Sequence, residues 1–290
     1  MTTYGSLSIV TGTDICNAQC PFCIAKMTPD AGITHRKTPV NWRNFHIAAR
    51  LAEKHGVTDA MITGKGEPTL YPAQITAYLT ALEEHDIPLV DLNTNGLLFM
   101  ERPEEYDAHL REWHKHGLTT VAISIAHYDA ERNREIYCPK KRYMDLPGAI
   151  AKLHGHGFSV RLSCTMVKGY IDSPSELERL IGFAREHKAD QLTVRPVAMP
   201  EHGGDERVTA YTREHLLTME QRHSLEEHLD AEGTLLQKTA YGAKIYDVDG
   251  QNVCMTNCLT LPVDENVRQL IFFPDGHVRY DWQHEGAVIL

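Results

Sequence analysis

Three cysteines fall within eight residues, Cys16-Asn17-Ala18-Gln19-Cys20-Pro21-Phe22-Cys23, at the spacing CxxxCxxC. Thiolates presented by one loop can converge on a single soft centre: an iron–sulfur cluster, zinc or copper(I). A structural zinc ion normally takes four protein ligands. No fourth cysteine or histidine completes a paired pattern nearby, and His35, the nearest histidine, lies beyond a segment containing Pro29 and Gly32. A cubane [4Fe–4S] cluster is usually held by four cysteines, so three would leave one iron open to an outside ligand. On the cysteines alone, a non-catalytic zinc or electron-transfer protein is the competing reading.

Such a loop needs a scaffold, and the chain alternates strand-like and helix-like segments. Strands are expected at 7–10, 57–63, 88–93, 119–125, 158–167 and 191–194. Between them, apolar residues recur at helical spacing around 45–52, 75–82, 106–116, 146–156 and 177–187, several ending at Gly56, Gly117 or Gly157. Six such repeats imply an α/β fold whose parallel strands are joined by right-handed crossovers. In parallel sheets and barrels ligands sit at the carboxyl ends of the strands. The unusual polar and glycine-rich pieces lie at such ends: the cysteine loop, Gly64-Lys65-Gly66-Glu67-Pro68, Asn93-Thr94-Asn95-Gly96, Ser124 and Arg195. Arg161 and Ser163 alternate on the fifth strand, so both are expected to face inward. An inward arginine needs an anion, which a cofactor carboxylate, a substrate phosphate or a structural Asp or Glu would supply.

The cysteine loop resembles that of the radical S-adenosylmethionine (SAM) superfamily, whose motif is CxxxCxΦC; Phe22 fills the aromatic position. The resemblance covers roughly residues 7–200. It implies a six-stranded parallel (β/α)6 partial TIM barrel with a small C-terminal α+β extension, divided as residues 1–205 and 206–290. It also implies a [4Fe–4S] cluster on Cys16, Cys20 and Cys23, whose open iron is chelated by the amino and carboxylate groups of SAM. An electron from the cluster then splits SAM into methionine and a 5′-deoxyadenosyl radical, which abstracts hydrogen from a small-molecule substrate such as a sugar, nucleoside or peptide. An external donor of flavodoxin or ferredoxin type would supply the electron. Gly64, Gly66, Glu67 and Pro68 are similar to the family's GGEP motif, with Lys65 in place of its second glycine, and Thr94-Asn95-Gly96 resembles its TNG ending. With Phe22, Ser124, Arg161, Ser163 and Arg195 they form the expected SAM-binding set.

The family's molybdenum-cofactor cyclase branch is the most similar in general pattern, through Ser124-Ile125-Ala126 and the following Asp129-Ala130-Glu131-Arg132-Asn133. The C-terminal part differs. Its stretch from Phe272 to Asp281 resembles the hairpin of an auxiliary-cluster module, but Asp281 stands where a cysteine would. A degenerate module that keeps its fold without metal is therefore expected. A cyclase or dehydrogenase with a second cluster there is the alternative. Cys254, and after it Cys258, is the candidate catalytic thiol, returning a hydrogen atom to a substrate radical as in the superfamily's epimerases. Cys138 and Cys164 read as ordinary small apolar residues.

Composition limits the remaining options. Apolar content of 42% and 290 residues suit a globular chain with a large core. A formal charge of −10 argues against broad nucleic-acid or anionic-membrane binding. No apolar run is long enough to span a bilayer, and the N-terminus lacks signal-peptide features. Seven clustered cysteines point to a reducing compartment, and the cytoplasm is expected.

Overall fold

The computed structural model describes residues 3–201, 204–257, 259 and 266–290. β1 (Thr3–Val10), β2 (Asp59–Thr63), β3 (Leu89–Thr94), β4 (Thr120–Ile125), β5 (Ser159–Met166) and β6 (Gln191–Pro196) lie side by side in chain order, all parallel. Their crossovers carry α1 (Ile24–Met27), α2 (Trp42–Lys54), α3 (Pro72–Leu82), α4 (Leu97–Glu101), α5 (Pro103–Lys115), α6 (Ala130–Tyr137), α7 (Leu146–Gly155) and α8 (Pro174–Glu186). Local chemistry sets these boundaries. In α8, Pro174 opens the first turn and the Ser173 hydroxyl caps the Glu176 amide. In α2, Phe45, Ala48, Ala49 and Ala52 form one buried stripe at helical spacing.

The expected six-stranded sheet is corrected to one of eleven strands among the described residues. After α9 (Glu206–Glu214) and α10 (Met219–Glu232) come β7 (Thr234–Lys238), β8 (Lys244–Val248), β9 (Gln251–Met255), β10 (Asn266–Phe272) and β11 (Val278–Arg279). The sheet order is β11-β10-β1-β2-β3-β4-β5-β6-β9-β8-β7. β9 pairs parallel with β6 and β10 parallel with β1, so later strands cover both edges of the first six. An uncovered edge would leave a row of backbone donors and acceptors unpaired. That is the physical reason the extension joins the sheet on both sides.

The sheet also curls. The Tyr241 hydroxyl, in the β7–β8 turn at one end, donates to the Val267 carbonyl of β10 near the other end at 3.3 Å. Phe45 of α2 stacks on Tyr78 of α3 and meets Phe272 of β10 edge-on, all three fully buried. Burying each such ring contributes on the order of 2–3 kcal/mol, so the extension is locked to the main layer by packing as well as by backbone pairing. Among the described residues, no helix is long and apolar enough to cross a membrane.

Candidate active site: two adjoining chambers

The loop after β1 is held from several sides. Gly12 takes a positive φ of +77°, and a Cβ there would fall 2.2 Å from the Tyr71 ring, so glycine is required. Further on, the Cys16 sulfur accepts the Ala18 amide at 3.4 Å, and the Gln19 amide donates to the Tyr137 carbonyl at the end of α6. Cys23 caps α1. Cys16, Cys20 and Cys23 line one cavity of about 280 Å³, together with Phe22, which meets Tyr137 edge-on.

Burial pushes the Cys16 thiol up to about 11, helped by the Glu67 carboxylate and Cys23. Cys20 is also raised, by burial first and then by Cys23 and Cys16. Ionising these thiols together needs a strongly cationic partner, and three soft sulfurs in one cavity match the donor chemistry of an iron–sulfur cluster. Among the described residues, no group of three or more His, Cys, Asp or Glu is arranged around one metal ion.

The ends of β2 and β3 close the same cavity. A Cβ on Gly66 would stand 2.1 Å from the Ile15 carbonyl oxygen, and the next amide, Glu67, donates to that oxygen at 3.0 Å. The backbone after β2 thus lies directly against the cysteine loop. Glu67 is buried and takes four hydrogen bonds: the Thr69 amide and hydroxyl at 3.0 and 2.6 Å, the Thr94 hydroxyl at 2.6 Å and the Asn95 amide at 2.9 Å. Burial raises its pKa and these bonds oppose the rise. Asn95 also donates from Nδ2 to Asn17 Oδ1 at 2.6 Å, inside the cysteine motif. The strand-end residues therefore form one connected network, with Gly64, Pro68, Ser124, Ser163 and Arg195 completing the described wall.

Lys65, at the position that departs from GGEP, turns inward. Its Nζ donates to Thr28 Oγ1 at 2.7 Å and to the carbonyls of Thr28 and Ala25 at 3.3 and 3.2 Å, beyond the end of α1. Burial lowers its pKa to about 8. It stands between the cysteine cavity and a larger one of about 530 Å³, both of which it lines with Gly64, Asn93 and Arg195.

Arg161 lines only the larger chamber, apart from the cysteines. Its guanidinium pairs with Asp91 at 2.5 Å and donates to Gln191 at 2.6 Å, so the structural carboxylate foreseen as its partner is present. Arg195 donates to Ser163 at 2.6 Å. Cys254, on β9 opposite Thr193 of β6, lines the larger chamber as well. Burial raises its thiol pKa against the pull of Arg195, Arg161 and Arg268. Cys258 lies outside the described residues. Asp281 accepts the Gln283 and His284 amides at 2.6 and 3.1 Å, so its carboxylate builds a turn. Cys164 is fully buried in the core.

Sequence reasoning missed Tyr137 in the cysteine cavity, Asn17 as the acceptor of the Asn95 side-chain amide, and Met61, Arg268, Gln269 and Trp282 in the larger chamber. Asn17 stands inside the motif and was open to notice; the others carry no local signal.

Comparison with known proteins identifies the family and fold. Residues 10–184 match the family model described as the radical SAM superfamily. Over 187 residues the chain is 27% identical to the 5-amino-6-(D-ribitylamino)uracil–L-tyrosine 4-hydroxyphenyl transferase of Methanopyrus kandleri, covering 60% of this chain and 48% of the transferase. The chain thus spans about half the length of that curated relative. Streptococcus suis SuiB bound to S-adenosylmethionine is similar in fold, with a TM-score of 0.62 and 17% identity over 96% of this chain and 60% of SuiB. Escherichia coli coproporphyrinogen III oxidase, HemN, gives a TM-score of 0.50 and 16% identity over 80% of this chain and 54% of HemN.

Proposed function

Because the chain belongs to the radical SAM superfamily, an enzyme family that uses a [4Fe–4S] cluster and S-adenosylmethionine, we propose that its two chambers divide the work of a hydrogen-abstracting enzyme. The cysteine cavity takes the cofactors and the larger chamber takes a small-molecule substrate. One observation carries this reading: the two cavities share a wall at Gly64, Lys65, Asn93 and Arg195, so a reactive carbon made in one can reach a C–H bond in the other.

In this reading Cys16, Cys20 and Cys23 would hold the cluster, and SAM would bind beside it in the same cavity. When bound, the cluster and SAM together supply a carbon radical that abstracts hydrogen. The backbone of Gly64–Pro68 with Glu67, and the side chains of Thr94, Asn95, Ser124, Ser163 and Arg195, orient SAM, while Phe22 shields the cluster. The proposed division at residue 205 is functional: the first part carries the cofactors and the second completes the substrate chamber. An external flavodoxin- or ferredoxin-type protein delivers the electron, and the cytoplasm suits that supply. The name of the curated relative records 5-amino-6-(D-ribitylamino)uracil and L-tyrosine, which is consistent with a substrate of modest size.

Cys254 is the proposed hydrogen donor. Burial keeps its thiol protonated, the form a donor needs. Transfer of that hydrogen makes a C–H bond on the substrate radical and leaves a sulfur radical, which one electron and one proton from the external reductant reset. The net result is inversion at the carbon, with the substrate's oxidation state unchanged.

Anaerobic reconstitution with iron and sulfide, followed by reduction with SAM present, tests the whole reading. About four irons per chain and release of 5′-deoxyadenosine are expected; zinc retained with SAM intact would overturn it. Cys254→Ala should block hydrogen return while SAM cleavage persists, and unchanged product from that variant would remove the donor role.

A further inference from the structure

Charge in the larger chamber runs against the charge of the chain. The protein carries −10 overall, yet the described wall of that chamber includes Lys65, Arg161, Arg195 and Arg268 and no aspartate or glutamate. Asp91, behind Arg161, offsets one of these charges; Lys65 donates to Thr28, Arg195 to Ser163, and Arg268 to the Asn257 and Leu259 carbonyls at 3.3 Å, so these cations are also held by protein oxygens. Gathering cations in a partly enclosed cavity costs free energy through desolvation and mutual repulsion. An anionic occupant reverses that cost through charge-assisted, often bidentate hydrogen bonds. A neutral sugar gives no such return, and an amine-bearing ligand would be repelled.

Strand register fixes the heights of these groups. Ser163 of β5 stands opposite Thr193 of β6, which stands opposite Cys254 of β9. Arg161 and Gln191 form the pair two residues earlier and Thr165 and Arg195 the pair two residues later, on the same face. Two residues along a strand are about 7 Å. Arg161 therefore lies about one such layer deeper than the Cys254 thiol, and Arg195 about one layer nearer the strand ends, where it borders the cysteine cavity. Arg268 approaches from β10 on the far side of the sheet order, so the cations face the chamber from different strands rather than forming one surface patch.

Resting on the division of the two chambers given above, we propose that the larger chamber holds its substrate by a carboxylate or phosphate group. Arg161 and Arg268 grip that group deep in the chamber, so that the neighbouring carbon stands level with Cys254 and faces the cysteine cavity. Lys65 and Arg195, which border both cavities, remain able to serve either occupant.

Anaerobic calorimetry on the reconstituted protein with SAM bound tests this with two matched pairs of probes: succinate against succinamide, and ribose 5-phosphate against ribose. At least one anion should bind about tenfold or more tightly than its neutral partner, a factor typical of a charge-assisted contact. Preference within the first pair identifies a carboxylate substrate, and preference within the second a phosphate. Arg268→Gln should weaken the preferred anion about tenfold, a loss larger than any change in SAM affinity. Arg161→Gln alone strands Asp91, so the double variant Arg161→Gln/Asp91→Asn supplies the second reading, with the same direction of loss. Equal binding within both pairs, no measurable binding of either anion, or losses matched by SAM affinity would overturn the proposal. Release of 5′-deoxyadenosine on reduction, measured on the same preparation, separates the two levels. If it fails, the radical reading fails; if it succeeds without anion preference, only the substrate class does.

Discussion

The two chambers share a wall but are built in opposite ways. The cysteine cavity is lined, among the described residues, by positions between Asp14 and Val197: about half lie in the loops that follow the strands, and the rest on the ends of β2–β6 and on the helices that adjoin them. The larger chamber draws on β8, β9, β10 and Trp282 as well as on β2, β3, β5 and β6. The first therefore depends on local backbone geometry, the second on how distant strands pair. Their chemistry differs too: the three motif thiols and the buried Glu67 carboxylate belong to one side alone, Arg161, Arg268, Gln191, Gln269 and the single Cys254 thiol to the other, while Lys65, Asn93 and Arg195 are common to both. A cofactor site common to a family suits the first construction. A site that must change with the substrate suits the second, because residues from the extension can vary without disturbing the cysteine loop.

The sharpest way to break this comparison is to delete a cysteine. Cys16→Ala, Cys20→Ala or Cys23→Ala should each lower SAM cleavage by more than about a hundredfold, since even outer partners of metal ligands cost roughly 10- to 100-fold. Iron per chain and 5′-deoxyadenosine release check this. Cleavage at wild-type rate in any of the three would break the assignment of the cavity.

Smaller effects follow from the network behind the cysteines. Glu67→Ala leaves the Thr94 hydroxyl and the Thr69 and Asn95 amides without their shared acceptor, a cost of about 3 kcal/mol. For a chain of this size that corresponds to a Tm lower by about 6–12 °C. Gly66→Ala forces a Cβ against the Ile15 carbonyl and should cost about 2 kcal/mol, accompanied by weaker SAM binding because the displaced backbone carries the cysteine loop with it. Thermal denaturation and SAM titration measure both. An unshifted Tm for Glu67→Ala would show that the two strand ends are held together by something other than this carboxylate.

These local features were legible in the sequence because glycine, proline and cysteine act through their own backbone and a few neighbours. CxxxCxxC, Gly64–Pro68 and Thr94–Gly96 stand at adjacent strand ends as their order along the chain implied. The direction of Lys65 was not legible, since an inward lysine depends on the carbonyls beyond α1 that receive it. Nor was the insertion of β9 beside β6 and β10 beside β1. Parallel partners separated by some sixty residues or more are chosen by tertiary packing, with no turn residue to announce them. Arg161 lies between these cases: strand alternation gave its face, while its partner Asp91, seventy positions earlier, needed the assembled sheet.

That same ion pair yields the subtlest test of the larger chamber, at the edge of its charge system. Asp59, at the start of β2, is pushed up to about 6, first by burial and then by Asp91, with Arg161 opposing. A carboxylate whose folded pKa lies above its unfolded value of 3.8 binds its proton more tightly in the native state. Its contribution to stability is therefore present at low pH, declines as pH rises through the interval from about 4 to 6, and stays lost above it. Asp59→Asn removes the titration. The variant should match wild type near pH 4 and exceed it by about 1.5 kcal/mol at pH 7, half the full linkage value because water still reaches the group. Denaturant midpoints for both proteins across pH 4 to 7.5 measure the gap, which should widen up to about pH 6 and then hold steady. A gap independent of pH would mean that Asp59 is already ionised at the lower end, with Arg161 dividing its charge between two carboxylates and so presenting less of it to the chamber.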